Sequence, residues 1–347
     1  ISCLVTGTIF HPIYEKFKIS REKLAYICDT TSSPICILIP LNAWGAYVVS
    51  LLEKESVGNP VQTFLSTIHL NFYAILSVLF AGFIAFSYKD FGAMKKAEIR
   101  SLDLGKTIAD GAVPMISEDV ASLKPKKGIK HKSFNMIIPI GVMIIMMPVS
   151  LLITGNGDLT AGSGTTSVLW SVLVAITVAG VISLVQRILS LKEVMDYTLK
   201  GISGLVPLAI LMILAFSIGD TCRTLGTGLY VASLSKDFLN PSVIAPILFI
   251  TSAFISFSTG TSWGTFAIMI PIAVPTALYA DVSLPLSIAA VLSGSVFGDH
   301  CSPISDTTIV SSMASACDHI DHVRTQMPYA ITMAVLATGF FWLAGIL

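Results

Sequence analysis

Charged side chains are scarce in this 347-residue sequence. Asp, Glu, Lys and Arg together make up 12% of it, about half of the share that is usual in soluble domains. The formal net charge is zero, so no acidic or basic excess points to nucleic acid, and we expect no nucleic-acid partner. Hydrophobic residues supply 54% of the chain, which excludes an ordinary soluble enzyme domain and predicts an integral membrane protein.

Several motifs are also missing. The six cysteines show no paired spacing, so we expect free thiols. The glycine-rich stretch near Trp263 lacks the lysine of a phosphate-binding loop, so nucleotide binding is not predicted. We expect no resident cofactor. The chain begins at Ile1, without Met and without a signal-peptide pattern, and we expect that an N-terminal portion is missing.

Apolar runs separated by polar loops fill the chain. A helix needs roughly 20 apolar residues to cross the hydrocarbon core of a bilayer. Most of the runs are that long or longer, which predicts an all-α polytopic membrane protein. The runs are 1–10 (partial), 24–52, 61–88, 134–154, 166–186, 202–219, 242–280, 286–316 and 328–347.

The distribution of Lys and Arg predicts the orientation, because these residues concentrate in cytoplasmic loops. The loop 89–133 holds ten of the 21, so we place it in the cytoplasm, where it can also touch anionic lipid. Continuing that topology puts eighteen Lys and Arg inside and three outside. We therefore expect a multi-pass protein of the bacterial cytoplasmic membrane.

This topology is consistent only if the run 242–280 begins and ends on the outer side. Its middle, Ser258 to Thr265, is rich in glycine and hydroxyl residues, and the two arms look too short to span the bilayer. The pattern predicts a re-entrant hairpin that opens to the outside. The alternative is one long, tilted helix with a kink.

The stretch from Gly298 to Thr308 interrupts the apolar run 286–316. Pro303 removes a backbone donor and breaks the helix. Buried, ionised Asp299 and Asp306 would cost several kcal/mol each unless they are paired, hydrated or bound to a cation. Broken backbone at membrane depth is tolerated where it lines a cavity or is buried in protein. The sequence thus predicts a substrate or ion site, with a packed structural kink as the alternative.

The front of the chain resembles this arrangement. Val5 to Thr8 is similar to the hairpin tip, and the run 24–52 carries Asp29 to Pro34 in its first part. Two hairpin tips, each followed by an interrupted helix, predict inverted-topology repeats with two re-entrant hairpins and two discontinuous helices. Residues 1–88 would be the C-terminal part of the first repeat and 89–133 the cytoplasmic basic loop. Residues 134–347 would form the second repeat, with three helices, the hairpin 242–280, the broken helix 286–316 and a final helix.

Oxygen-rich side chains at the interruptions match the needs of Na+, a hard cation. We expect Asp299 and Asp306 to carry the cation and the proton, with Asp29 completing the site from the other repeat. His300 is a candidate second proton carrier, and a structural hydrogen bond is the alternative for it. The candidate oxygen ligands are Ser302, Thr307, Thr308, Thr259, Thr261, Ser262 and Thr30.

The cluster from Cys317 to His322 contains two His and two Asp. Its spacing matches no closed four-ligand zinc pattern, so we favour a polar helix end or cytoplasmic gate over a metal site. A remote alternative is an intramembrane metal hydrolase that uses His300, His319 and His322. That hypothesis requires the three His to lie together at one depth.

The stretch 298–308, followed by 317–329, resembles the characteristic motif of the NhaC-type Na+/H+ antiporter family, and 259–264 and 18–26 are similar to further family stretches. The resemblance implies a transporter rather than an enzyme, with Na+ and H+ as transported ions. It also implies inverted repeats with re-entrant hairpins, homodimers and elevator-like alternating access. Relatives exchange organic acids with Na+ or H+, so a coupled carrier of a small carboxylate or amino acid is the alternative. Family members begin with further helices and the first arm of the cytoplasmic hairpin, which this chain lacks.

Overall fold

A computed structural model describes residues 2–40, 42–87, 89–114, 132–158, 162–226, 230 and 240–347. These residues form helices and no strand, which confirms the all-α prediction. Numbered in chain order, the helices are α1 (Ser2–Lys16), α2 (Arg21–Thr30), α3 (Ser33–Leu38), α4 (Ala43–Lys54), α5 (Pro60–Thr67), α6 (Phe72–Ser87), α7 (Gly92–Leu104), α8 (Phe134–Thr154), α9 (Gly164–Val185), α10 (Leu191–Thr224), α11 (Pro241–Thr259), α12 (Ser262–Tyr279), α13 (Leu284–Cys301), α14 (Asp306–Ala314) and α15 (His319–Ala344). A short 3-10 helix, Ile68–Leu70, joins α5 to α6.

Within the described ranges, seven stretches are long and apolar enough to cross a membrane, judged by length and composition. An eighth is added if Arg21–Leu38 and Ala43–Lys54 are counted together as one span. The protein is therefore a multi-pass membrane protein. The seven stretches are Phe72–Leu104, Phe134–Thr154, Thr166–Val185, Pro241–Thr259, Ser262–Tyr279, Leu284–Cys301 and His319–Ala344.

The chain divides into two compact units. The first contains Ile1–Leu38, Ser66–Ser122 and Ile218–Leu347, and it holds all the predicted site residues. The second contains Ile39–Leu65 and Leu123–Ser217. In the second unit, α9 packs along α8 and also contacts α4. Many large apolar side chains of α8 and α9 are exposed, as expected for helices whose outer faces meet hydrocarbon rather than water.

Helices α11 and α13 run parallel to each other. A Cβ placed on Gly294 would lie 2.2 Å from the carbonyl oxygen of Phe249, and eight residues further along both helices Ser302 donates its hydroxyl to the carbonyl of Phe257 at 2.8 Å. Helix α12 connects the end of α11 to the start of α13, so it must run antiparallel to both. The chain therefore reverses between α11 and α12, which excludes the alternative of one long, kinked helix.

The reversal occurs at Gly260 and Thr261. Gly260 has a φ of 68°, in the left-handed region that favours glycine at a helix end. A Cβ there would lie 2.7 Å from the carbonyl oxygen of Ile304, so the close approach of the tip to the second interruption also requires glycine. The arms are 19 and 18 residues long, about 27 Å each. By length and composition both arms can cross a membrane, so the expectation that they are too short to span was wrong. How deeply the hairpin enters the membrane stays a prediction.

Both predicted helix interruptions are present. In the second half, α13 ends at Cys301 and α14 begins at Asp306, where the Ser305 side chain accepts a hydrogen bond from the third helical residue. In the first half, α2 ends at Thr30, and α3 starts at Ser33 with a proline in its first turn. The run 24–52 is interrupted a second time before α4, which the sequence analysis did not predict.

Helix α7 lies inside the stretch 89–133 that was predicted as a loop. Ion pairs attach it to the start of α2: Arg100 contacts Glu22 at 2.8 Å, and the buried Lys23 contacts Asp90 at 2.8 Å and Glu98 at 3.5 Å. Sequence reasoning missed this helix because it has no long apolar run; these ion pairs and the buried side chains of Met94 and Ala97 hold it in place.

Candidate functional site

Two buried aspartates stand at the ends of the interrupted helices. Asp29 is the second-last residue of α2, and Asp299 is the third-last residue of α13. Their exposed fractions are 0% and 2%. Each lies where helix carbonyls lose their intrahelical donors, at the negative end of the helix dipole. At this position, an ionised carboxylate with a bound cation is more favourable than an ionised carboxylate without one.

The carboxylate of Asp29 is held by helix α15. Its Oδ2 accepts a hydrogen bond from Nε2 of Gln326 at 2.9 Å and lies 3.4 Å from Nε2 of His322. His322 and Gln326 are four residues apart, so they share one face of the helix. Oδ1 of Asp29 has no hydrogen-bond partner among the described residues.

The carboxylate of Asp299 is held by the hairpin tip. Its Oδ2 accepts a hydrogen bond from the hydroxyl of Ser262 at 2.6 Å, and Ser262 is the first residue of α12. The hydroxyl of Thr308, on α14, lies 3.5 Å from the backbone carbonyl of Asp299. Within the described part of the chain, Oδ1 of Asp299 has no hydrogen-bond partner. The two aspartates therefore each present one buried, unsatisfied oxygen.

His300 directly follows Asp299 in α13, and its side chain contacts α2 and α6. Its Nε2 is 3.0 Å from the hydroxyl of Thr30, and its Nδ1 is 2.8 Å from the hydroxyl of Tyr73. Its backbone carbonyl accepts a hydrogen bond from Gln326. Both ring nitrogens are thus engaged, and the contacts link α13 to α2 and α6. The geometry favours a structural hydrogen-bonding role for this residue.

Three of the predicted hydroxyl ligands form hydrogen bonds with backbone groups. Ser302 bonds to the carbonyl of Phe257. Thr259 is exposed and bonds to the carbonyl of Ile255 within its own helix. Thr261 caps α12 by accepting a hydrogen bond from a backbone N–H of its first turn. Any role for these hydroxyls as ion ligands stays a prediction.

Asp306 and Thr307 differ from the two buried carboxylates in exposure. Asp306 is the first residue of α14, and its side chain is exposed. Thr307 pairs with the capping hydroxyl of Ser305 at 3.0 Å. Contacts of His300 bring Thr30, on α2, to the residue next to Asp299, and Asp299 itself contacts Ser262 and Thr308. Asp306 begins α14 at the other end of the same interruption and stays a predicted carrier.

The histidines of the cluster from Cys317 to His322 have separate partners. His319 bonds to Ser312 and to the carbonyl of Pro303, while His322 is fully buried beside Asp29. In the parts of the chain that the structure describes, no three His, Cys, Asp or Glu side chains converge in a metal-binding arrangement. His322 lies in the first turn of α15 and is buried by protein, and its position relative to the membrane stays a prediction.

Sequence reasoning missed Gln326, His322 and Tyr73 as neighbours of the site. A signal for the first two was available, since they are polar residues four apart just before the last apolar run, and such residues share one face if the helix begins there. Tyr73 gave no signal, because a tyrosine in an apolar run is ordinary. Its contact with His300 is a product of tertiary packing.

Buried carboxylates at interrupted membrane helices define the class of secondary transporters. Comparison with known families agrees with this class: the model of the Na+/H+ antiporter family matches residues 51–346. That match covers most of the chain, and the chain belongs to the Na+/H+ antiporter family. The resemblance noted in the sequence is thereby confirmed, and the family that the chain belongs to is one of transporters rather than enzymes.

The relatives include proteins with different exchanged substrates. An uncharacterised protein of Haemophilus influenzae is 37% identical over 95% of this chain and 65% of its own length. A malate-2H(+)/Na(+)-lactate antiporter of Bacillus subtilis is 32% identical over 45% of the chain and 33% of its own length. The arginine/ornithine antiporter ArcD of Halobacterium salinarum is 28% identical over 63% of the chain and 43% of its own length. The chain thus spans at most about two thirds of these relatives.

Proposed function

We propose that this protein is a secondary antiporter that exchanges Na+ for H+ by alternating access. The observation that carries the proposal is the pair of buried carboxylates, Asp29 and Asp299, each with one oxygen that no described residue satisfies. A buried, ionised carboxylate is unfavourable unless a proton or a cation neutralises it. Competition between the two for one oxygen is the chemical basis of cation/proton exchange.

The local chemistry suits a small monovalent cation. Hard cations bind oxygen, and each interruption supplies a carboxylate together with backbone carbonyls freed at the helix end. Asp299 also lies beside the hydroxyl of Ser262. We therefore assign the carrier roles first to Asp29 and Asp299. Asp306 is proposed as a carboxylate met by the ion on its way to or from the site, because it is exposed at the second interruption.

The second candidate function is Na+- or H+-coupled exchange of a small carboxylate or amino acid. The names of two relatives favour it, because they denote malate/lactate and arginine/ornithine exchange. An organic anion would need donors, and the backbone N–H groups and hydroxyls at the start of α12 are the candidates. This substrate class would use the same Asp29 and Asp299 for the coupling ion.

The assembly and the location follow from the same proposal. The surroundings are the lipid bilayer, and the bacterial cytoplasmic membrane supplies the ion gradients that such exchange requires. A homodimer is the assembly that the family resemblance implies. Na+ and H+ are the transported ions, and no resident cofactor is part of the mechanism.

Transport by the whole protein in everted membrane vesicles tests the proposal. A fluorescent pH probe would follow an imposed pH gradient while Na+, Li+ or K+ is added. We expect Na+ to collapse the gradient, and Asp29→Asn or Asp299→Asn to abolish the response in protein that is still inserted. Asp103→Asn is the matched control, because Asp103 is exposed.

Either of two results would contradict Na+/H+ exchange. One is a wild-type protein that responds to no cation, in which case radiolabelled malate, lactate, arginine and ornithine become the substrates to test. The other is full activity in both Asp→Asn variants, which would place the ion site elsewhere.

A further inference from the structure

Gln326 connects the ends of the two interrupted helices. Its side chain is 1% exposed. The amide nitrogen Nε2 donates to Oδ2 of Asp29 at 2.9 Å and to the backbone carbonyl of His300. One amide on α15 therefore holds both the carboxylate at the end of α2 and a carbonyl in the last turn of α13.

The orientation of this amide is fixed by its two partners. Both partners are acceptors, so only the nitrogen, which has two hydrogens, can face them. A flipped amide would place its oxygen against a carboxylate and a carbonyl. The oxygen Oε1 of Gln326 is therefore left as a buried acceptor. Among the described residues it has no hydrogen-bond donor, and the same holds for Oδ1 of Asp29.

We propose that Gln326 is a specificity-determining residue of the cation site at Asp29. Its nitrogen holds the carboxylate in place, and its oxygen is a neutral ligand of the transported cation. The inference rests on the proposed function and names part of the ligand set for that site. Hard cations bind both carboxylate and amide oxygens, so one ion satisfies two acceptors that are otherwise buried without a donor.

The charge of this ligand set favours a monovalent ion. Asp29 contributes one negative charge, and the amide of Gln326 contributes none. His322, on the same face of α15, places a ring nitrogen 3.4 Å from Oδ2 and adds no negative charge. A second carboxylate at position 326 would raise the negative charge and would remove both hydrogens that hold Asp29 and the carbonyl of His300. Such a site would favour a divalent ion.

Initial rates of Na+-dependent H+ movement in proteoliposomes of the whole protein test the inference. The variants are Gln326→Met, which is similar in length but has no amide, and Gln326→Glu, which is nearly isosteric. Gln186→Met is the control, because Gln186 is exposed on the second unit. We expect Gln326→Met to raise the apparent KM for Na+ by about tenfold or more, with a smaller change in kcat.

Gln326→Glu is expected to change the order of preference among Na+, Li+ and K+ and to let Ca2+ inhibit. If Gln326→Met does not insert into the membrane, Gln326→Glu is the variant that is compared with the wild type. An unchanged KM and unchanged cation preference in the inserted variants would overturn the inference and leave Na+/H+ exchange standing. A fall in kcat alone would show a purely structural residue and would also overturn it. A wild-type protein without any Na+ response would overturn both proposals.

Discussion

Ser262 donates its hydroxyl to Oδ2 of Asp299 at 2.6 Å. This bond ties the first residue of α12, at the tip where the chain reverses, to the interrupted helix that follows. In the proposed mechanism, this bond is one contact through which movement of the tip would affect the protonation or ion loading of the carboxylate.

Replacing Ser262 tests that contact. Ser262→Ala removes a hydrogen bond to a buried carboxylate, a change worth about 1.5–3 kcal/mol when the acceptor is charged. We expect about a tenfold or larger rise in the apparent KM for Na+ in the vesicle assay, while Ser262→Thr keeps the hydroxyl and most of the activity. Ser258→Ala is the control, because that exposed hydroxyl bonds only within its own helix. Wild-type kinetics in Ser262→Ala would show that the bond is not used.

The packing of α13 on α11 depends on Gly298. A Cβ there would lie 2.2 Å from the backbone oxygen of Ala253, so Gly298→Ala must push two helices apart. We expect a cost of about 1–3 kcal/mol in stability, measured as a lower unfolding temperature in detergent, together with loss of transport because Asp299 is the next residue. Gly339→Ala is the matched control, since nothing lies within 4 Å of its added Cβ. Equal unfolding temperatures for the two variants would contradict the close contact.

The ion pairs that hold α7 predict a stability effect far from the carboxylates. Lys23 has two carboxylate neighbours, Asp90 at 2.8 Å and Glu98 at 3.5 Å. Lys23→Ala leaves these acids largely buried without their cation, and removal of one partner of a buried pair costs about 3–5 kcal/mol. We expect a clear fall in unfolding temperature in detergent, and none for the exposed Lys95→Ala. An unchanged temperature for Lys23→Ala would show that α7 is held by other contacts.

Asp318 at the start of α15 predicts a pH dependence. Burial acts to raise its pKa, but three backbone N–H groups, from Val113, Asp321 and Ile320, donate to it and hold the pKa below its ordinary value. Its contribution to stability is therefore complete above the unfolded pKa of about 3.9 and is lost as pH falls through the lower, folded value.

Asp318→Ala should remove that acid-sensitive contribution, which is about 1 kcal/mol for a helix cap. Asp318→Asn should retain most of the stability at neutral pH and lose its dependence on pH in the acid range. Unfolding temperatures at pH 7 and at successive pH values from 4 down to 2 check both expectations. A pH dependence that is the same in Asp318→Asn and in the wild type would assign it to other groups.

The sequence by itself determined the class of the protein. Long apolar runs have one stable solution in a bilayer, which is helix, because every backbone polar group must be satisfied internally. Proline and clustered polar residues located the interruptions, and the rarity of charge in apolar runs distinguished Asp29, Asp299 and Asp306. These features are local, so they can be read from the order of residues alone.

Tertiary structure decided which polar groups meet. Gln326 lies 297 positions from Asp29 in the sequence, and no periodicity connects residues that far apart. Our proposal ranks Asp29 and Asp299 before Asp306 because of their burial, which depends on how α2, α12, α13 and α15 pack. Helix α7 was likewise not predicted, since ion pairs between distant residues and the burial of Met94, rather than a long apolar run, hold it in position.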